Sequence, residues 1–161
     1  MARQPVNKDT YAYKQDDLKS AFALAVKNII NFGDTDIFPF PYETRMFDDI
    51  FKELLDSLEE THKDFNNKIN ECPPVNISTC STVGYNGYRW ATLIDPYWNA
   101  YFLGITLLLA SKIEIDRVNA NHVYSYRFSP DYKTGSLFDK NINWRKFQDD
   151  SLNLAKNDGG I

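Results

Sequence analysis

The sequence predicts an α+β fold that is mostly helical, with one β-hairpin and one short additional strand. Three observations carry that reading. Apolar residues recur at helical spacing through LKSAFALAVKNIINF, from Phe47 to Ile69 and from Tyr97 to Ile113. The dipeptide Asn86-Gly87 separates STVGY from YRWATLI, as a two-residue hairpin turn requires. The segment HVYSYRFS alternates, with Tyr124, Tyr126 and Phe128 on one side and Val123, Ser125 and Arg127 on the other.

The first helix starts from Asp16 or Asp17 as N-cap, places Leu18, Phe22, Val26, Ile29 and Ile30 on one face, and stops at Gly33. GDTDIFPFPYE, with two prolines, is expected to be a connector packed through Phe38, Phe40 and Tyr42. Thr44 then caps one long helix whose core face is Phe47, Ile50, Phe51, Leu54, Leu55, Leu58, Phe65 and Ile69, ended by Pro73-Pro74. On the second hairpin strand Tyr88, Trp90 and Thr92 share a face, and Arg89, Ala91 and Leu93 the other. Asp95-Pro96 opens the third helix, which is apolar all round and expected to be central. SPDYKTGSLFDKN reads as turns, and Asn143 caps a last helix with Trp144, Phe147, Leu154 and Ala155.

The 161 residues suit a single domain or part of one, with 1–15 expected to be a flexible N-terminus. A mean hydropathy of -0.48 argues against a membrane-integral protein, and the apolar run from Tyr97 to Ala110 is shorter than the roughly 20 residues a span needs. No secretory leader is evident, and Cys72 and Cys80 match no metal or redox spacing, so reduced thiols and a cytoplasmic location are expected. Net charge is -4, unevenly spread: Lys plus Arg against Asp plus Glu is 9 to 14 over residues 1–71, 8 to 5 over 72–147, and 1 to 3 over 148–161. A free-standing nucleic-acid binder normally carries a positive excess, so any such contact belongs to the basic middle.

Known catalytic spacings are missing. His62, placed on the charged side of its helix, and His122 belong to no metal or triad motif, and no phosphate-binding glycine loop occurs. The paired acids Asp16-Asp17, Asp48-Asp49 and Asp149-Asp150 lie in predicted helices, where neighbours diverge by about 100° and do not converge on a cation. Arg89 and Arg127 stand out, each on a predicted strand among rings. A guanidinium fork suits phosphate oxygens, and adjacent rings can stack on bases. On spacing alone the plainer account is that each arginine pairs with a carboxylate such as Asp95 or lays its stem over rings.

GDTDIFPFPYE, GYRWATLIDPYWNAYFLG, VYSYRF and LFDKNINWRKF, in this order, resemble the amino-terminal, fingers-side region of bacterial RNA-directed DNA polymerases, nearest the non-retroviral, defence-associated reverse transcriptases. The likeness runs from about Asp17 to about Lys156. It implies a region that helps hold template and incoming nucleotide, ahead of a metal-binding palm. The family's palm motifs, Asp-Ile-x-Asp-Phe-Tyr and Tyr-x-Asp-Asp, do not follow Lys156 here. The resemblance therefore implies a chain truncated before the catalytic palm and catalytically incomplete alone, with no cofactor of its own, although magnesium is implied for the full-length family. Carried over residue by residue, Arg89 with Asp95, Pro96 and Asn99, and Arg127 with Tyr126 in SYRF, correspond to positions around the fingers and template groove. The expected nucleic-acid or nucleotide contacts are thus Arg89, Arg127, Asn99 and Tyr126, with no catalytic or metal residue. Expected partners are an RNA template or DNA, a palm-containing chain or a second copy covering the third helix, and no membrane. The alternative is a stand-alone interaction or regulatory protein derived from a reverse transcriptase, acting in phage defence.

Overall fold

Residues 14–33, 42–118 and 125–157 are described in the computed structural model. They form an α+β fold in which helices α1 (Gln15–Phe32), α2 (Tyr42–Asp49), α3 (Phe51–Lys63) and α4 (Phe65–Glu71) precede strands β1 (Asn76–Val83) and β2 (Gly87–Ile94). Helix α5 (Pro96–Ile115), strands β3 (Phe128–Asp131) and β4 (Ser136–Phe138), and helix α6 (Trp144–Asn157) follow. Each strand pair is an antiparallel two-stranded sheet. Among the described residues no helix is long and apolar enough to cross a membrane.

Helix α1 begins one or two residues before the expected cap, because the Asp17 carboxylate reaches back to accept the Lys14 amide (3.2 Å). Gln15 is thus already helical, and residues 1–13 of the expected flexible N-terminus lie outside the described residues. The predicted face is buried: Leu18, Phe22, Val26 and Ile29 pack with Phe47, Leu54, Leu55 and Leu58 of α2 and α3 and with Trp98, Ala100 and Tyr101 of α5. The other side of α1 is buried too, since Ala21, Leu24 and Ala25 meet Leu107 and Leu137. Helix α1, rather than α5 alone, is therefore the centre of the molecule.

The single long helix expected from Thr44 to Pro73 is three segments, with kinks at Ile50 (φ -110°) and Asp64 (φ -128°). Backbone bonds end and restart at each kink residue: Ile50 N–H donates to Met46 O (3.1 Å) while Ile50 O accepts Leu54 N–H (2.9 Å), and Asp64 N–H donates to Glu60 O (3.1 Å) while Asp64 O accepts Lys68 N–H (3.1 Å). Bending turns Ile50 out to solvent while Phe47 and Leu54 stay buried. Thr44 is no cap but a buried residue of α2, and Tyr42, expected to pack in a loop, begins that helix exposed. Phe38 and Phe40 lie outside the described residues. His62 faces the core rather than the charged side, with Nδ1 3.1 Å from the Tyr101 hydroxyl, while His122 lies outside the described residues.

Both hairpins differ from what the sequence predicts. The first hairpin is closed by three residues, Gly84, Tyr85 and Asn86, with Val83 opposite Gly87. The left-handed residue is Gly84 (φ +68°), not Asn86 or Gly87. The additional strand begins at Phe128, after Tyr126 and Arg127, and pairs with β4 across a turn in the segment read as irregular. Tertiary contacts select that second hairpin. From α1, Lys27 Nζ donates to Tyr132 O (2.9 Å), Asn28 Nδ2 to Gly135 O (2.9 Å) and Asn31 Nδ2 to Thr134 O (3.0 Å). Asp131 accepts the Lys133 amide and the Thr134 hydroxyl, in that order the chief reasons its carboxyl is held below the ordinary range.

Gly135 (φ +80°) sits flat on α1, where an added Cβ would lie 2.7 Å from both the Asn28 nitrogen and the Lys27 carbonyl carbon. Those are backbone atoms of a helix and cannot step aside. Gly135→Ala is expected to destabilise the protein by about 2–3 kcal/mol, from the left-handed backbone and the clash together, read by denaturant unfolding.

Candidate nucleic-acid interface

At its base the β1–β2 hairpin is tied to the helices by Ile94, which packs against the core, and by the hydrogen bonds of Asp95. Asp95 Oδ1 accepts the Trp98 amide (3.0 Å) and so caps α5, while Oδ2 accepts the Val75 amide (2.9 Å) and its own amide donates back to Val75 O (2.9 Å). Trp98 Nε1 donates to Cys72 O (2.9 Å), closing the same corner. The sequence thus capped α5 as expected, and the cap also fixes the hairpin.

Beyond that base the ribbon is exposed. Register runs without a bulge from Asn76 opposite Ile94 to Val83 opposite Gly87. One face carries Ser78, Cys80, Thr82, Tyr88, Trp90 and Thr92, with the Ser78 and Thr92 hydroxyls 3.0 Å apart. Tyr88 and Trp90 are each 75% exposed on that face, and Tyr85 at the tip is fully exposed. These large rings are left in water on a narrow ribbon and contribute little to the chain's own core, and exposed rings of this kind are able to stack on planar groups. Arg89 lies opposite Ser81 on the other face, exposed, and is the only charged side chain between Val75 and Ile94.

Arg127 has a different environment. It is 9% exposed, and its guanidinium donates through Nη1 to Glu114 Oε1 (2.8 Å) and through Nη2 to Val118 O. Glu114 Oε2 also accepts Arg117 Nη1 (2.8 Å) and the Phe128 amide (3.1 Å). Held by Arg127 most of all, against partial burial that works the other way, and further by the Phe128 amide and Arg117, the Glu114 carboxyl is lowered to about 2. The carboxylate partner is therefore Glu114, not Asp95, and the fork of Arg127 joins the end of α5 to the start of β3. Tyr126 beside it is exposed, with its ring 5.2 Å from that of Phe138.

The four expected contacts do not form one cluster. Asn99 is in the first turn of α5, and its amide donates to Asp95 O (2.9 Å). Fifteen residues of helix separate it from Glu114, about 22 Å of rise. Arg89 and Asn99 belong to the hairpin end of α5, Tyr126 and Arg127 to the opposite end. Sequence reasoning did not single out the exposed rings Tyr85, Tyr88 and Trp90, although alternation along β2 already set Tyr88 and Trp90 on one face. Compared with protein-family models, with curated proteins and with solved structures, the chain matches none.

Proposed function

We propose that the chain is a fingers-side, nucleic-acid-contacting region of an RNA-directed DNA polymerase, and that the β1–β2 hairpin is where it meets the template strand. The observation that carries this reading is the pair Tyr88 and Trp90, side by side on one strand face and three-quarters exposed, with Tyr85 at the tip. Bases of any sequence stack on such rings, which suits a surface that must pass every template. Arg89, on the reverse face of the same strand, supplies the one positive charge for a backbone passing the ribbon. Free Cys72 and Cys80 fit a cytoplasmic setting. In this reading Arg127 ties the end of α5 to the start of β3 and is not a phosphate contact, while Arg117 Nη1 holds Tyr126 through its carbonyl (2.6 Å).

Binding of a short single-stranded RNA or DNA, followed by tryptophan fluorescence and anisotropy, tests the proposal. Trp90→Ala is expected to weaken binding about tenfold or more, as loss of one stacked base does. Arg89→Ala is expected to reduce the salt dependence by about one ion while leaving stability unchanged. Equal binding by both variants and the parent chain would reject the hairpin as the contact.

The interaction-protein reading is favoured by a separate observation, helix α6. Asn143 caps it through Oδ1 and the Lys146 amide (3.1 Å), as expected, yet Trp144 and Leu154 on its apolar face are exposed. Under that reading the hairpin variants leave partner binding unaltered and Trp144→Ala abolishes it.

A further inference from the structure

We propose that the outer edge of β1 pairs with the same edge of a second copy of this chain, antiparallel and centred on Cys80. The inner edge of β1 is consumed by β2 over eight consecutive residue pairs. Among the described residues the sheet has two strands, so the outer edge of β1 leaves alternate N–H and C=O groups unpaired by any strand. Natural edges are usually blunted by lysine, proline, a bulge or a covering element. Asn76–Val83, NISTCSTV, has no charge, no proline and no bulge.

The occupant follows from the register. A two-fold axis perpendicular to the sheet pairs residues whose numbers have a constant, even sum, because only then do opposite side chains share a face. Centring on Cys80 sets Ser78 opposite Thr82 and Thr79 opposite Ser81, hydroxyl against hydroxyl. It also sets Ile77 opposite Val83, residues that are 63% and 52% exposed in the single chain. Moving the centre to Thr79 puts Ile77 against Ser81 and loses that match. The strand carries no charge to repel its copy, and in this register its hydroxyl residues and its apolar residues each meet their own kind, so the edge matches itself, whereas an unrelated strand would have to meet this pattern by chance.

The product is a four-stranded sheet in the order β2, β1, β1 of the second copy and β2 of the second copy. Since the axis stands perpendicular to the sheet, Tyr88 and Trp90 of both copies lie on one face and the exposed aromatic surface doubles. Pairing of the edges stands independently of nucleic-acid binding, and salt separates the two. Each chain carries a net charge of -4, so added salt is expected to strengthen self-pairing while it weakens contact with nucleic acid.

The test uses the whole chain without nucleic acid. Sedimentation over a wide dilution series is expected to show a reversible dimer, abolished by Cys80→Lys, which sets two lysines face to face on the axis. In a Cys72→Ser, Cys80→Ser background, Ser78→Cys and Thr82→Cys copies treated with a short thiol-specific cross-linker are expected to link to each other when mixed and far more slowly when alone. Both positions are exposed, so these variants keep the fold. A parent chain that remains monomeric at every concentration overturns the proposal. So does cross-linking of Ser78→Cys copies to one another as fast as to Thr82→Cys copies.

Discussion

Phe22→Ala is expected to lower the free energy of unfolding by about 3–5 kcal/mol, enough to leave much of the chain unfolded at modest denaturant. Phe22 is fully buried at the point where α1 meets α3 and α5. Its ring centroid lies 5.7 Å from that of Tyr101 and 6.5 Å from that of His62, so truncation removes ring contacts as well as buried area. The site cannot collapse to fill the void, because α5 is already as close as it can come. Gly104 faces Phe22, and a methyl group there would lie 3.4 Å from the Phe22 Cα, an atom that the substitution keeps, so the two helix backbones already stand against each other. A cavity that cannot relax keeps its full cost. The midpoint of urea unfolding, followed by circular dichroism, measures it, and a change below about 1 kcal/mol would mean that the α1–α5 contact is not the centre of the fold.

Glu114→Ala is expected to cost about 3–5 kcal/mol, because among the described residues it leaves the buried Arg127 guanidinium with the Val118 carbonyl alone. Arg127→Ala is expected to cost less, since Glu114 keeps Arg117 and the Phe128 amide as partners. The double replacement Glu114→Ala with Arg127→Met should be milder than Glu114→Ala alone, as removing a whole buried pair avoids an orphaned charge. The pair also fixes a pH response. The carboxyl is lowered from 4.5 to about 2 in the folded chain, so folding favours its ionised form. That stabilisation is complete above about pH 4.5 and is lost as the pH falls through about 2. Unfolding midpoints taken down this range should fall for the parent chain and fall less for Glu114→Gln. A parallel decline in both would place the acid response elsewhere. Loss of nucleic-acid binding by Arg127→Ala would then follow from the loosened end of α5, whereas the same loss by Arg89→Ala would occur in a fully stable chain.

Sequence periodicity was enough for the helices because their burial is nearly one-dimensional. Leu18, Phe22, Val26 and Ile29 sit where a repeat of 3.6 residues puts them, and all are buried. Caps were equally legible where one side chain does the work, as at Asp95 and Asn143. The kinks at Ile50 and Asp64 were not, since an unbroken helix satisfies the same local pattern; bending is decided by what α1 requires of Phe47 and Leu54 together. The β3–β4 hairpin was missed because its turn is held by Lys27, Asn28 and Asn31, more than a hundred residues away.

For the site the division is sharper. Alternation on β2 placed Tyr88 and Trp90 on one face and Arg89 on the other, and the register agrees. Which face meets water depends on what packs over a strand, and no local rule contains that. Arg89 and Arg127 looked equivalent as arginines among rings, yet one is exposed and the other is 9% exposed against Glu114. Local pattern alone was sufficient for the core face of α1, the caps at Asp95 and Asn143, the two strands of the first hairpin though not its turn, and the basic middle, because each depends on neighbours within a turn or two of the chain. Which rings are left in water, where the long helix bends and which arginine is committed to the fold are set by segments brought together from far apart, because exposure and ion pairing are properties of the packed chain.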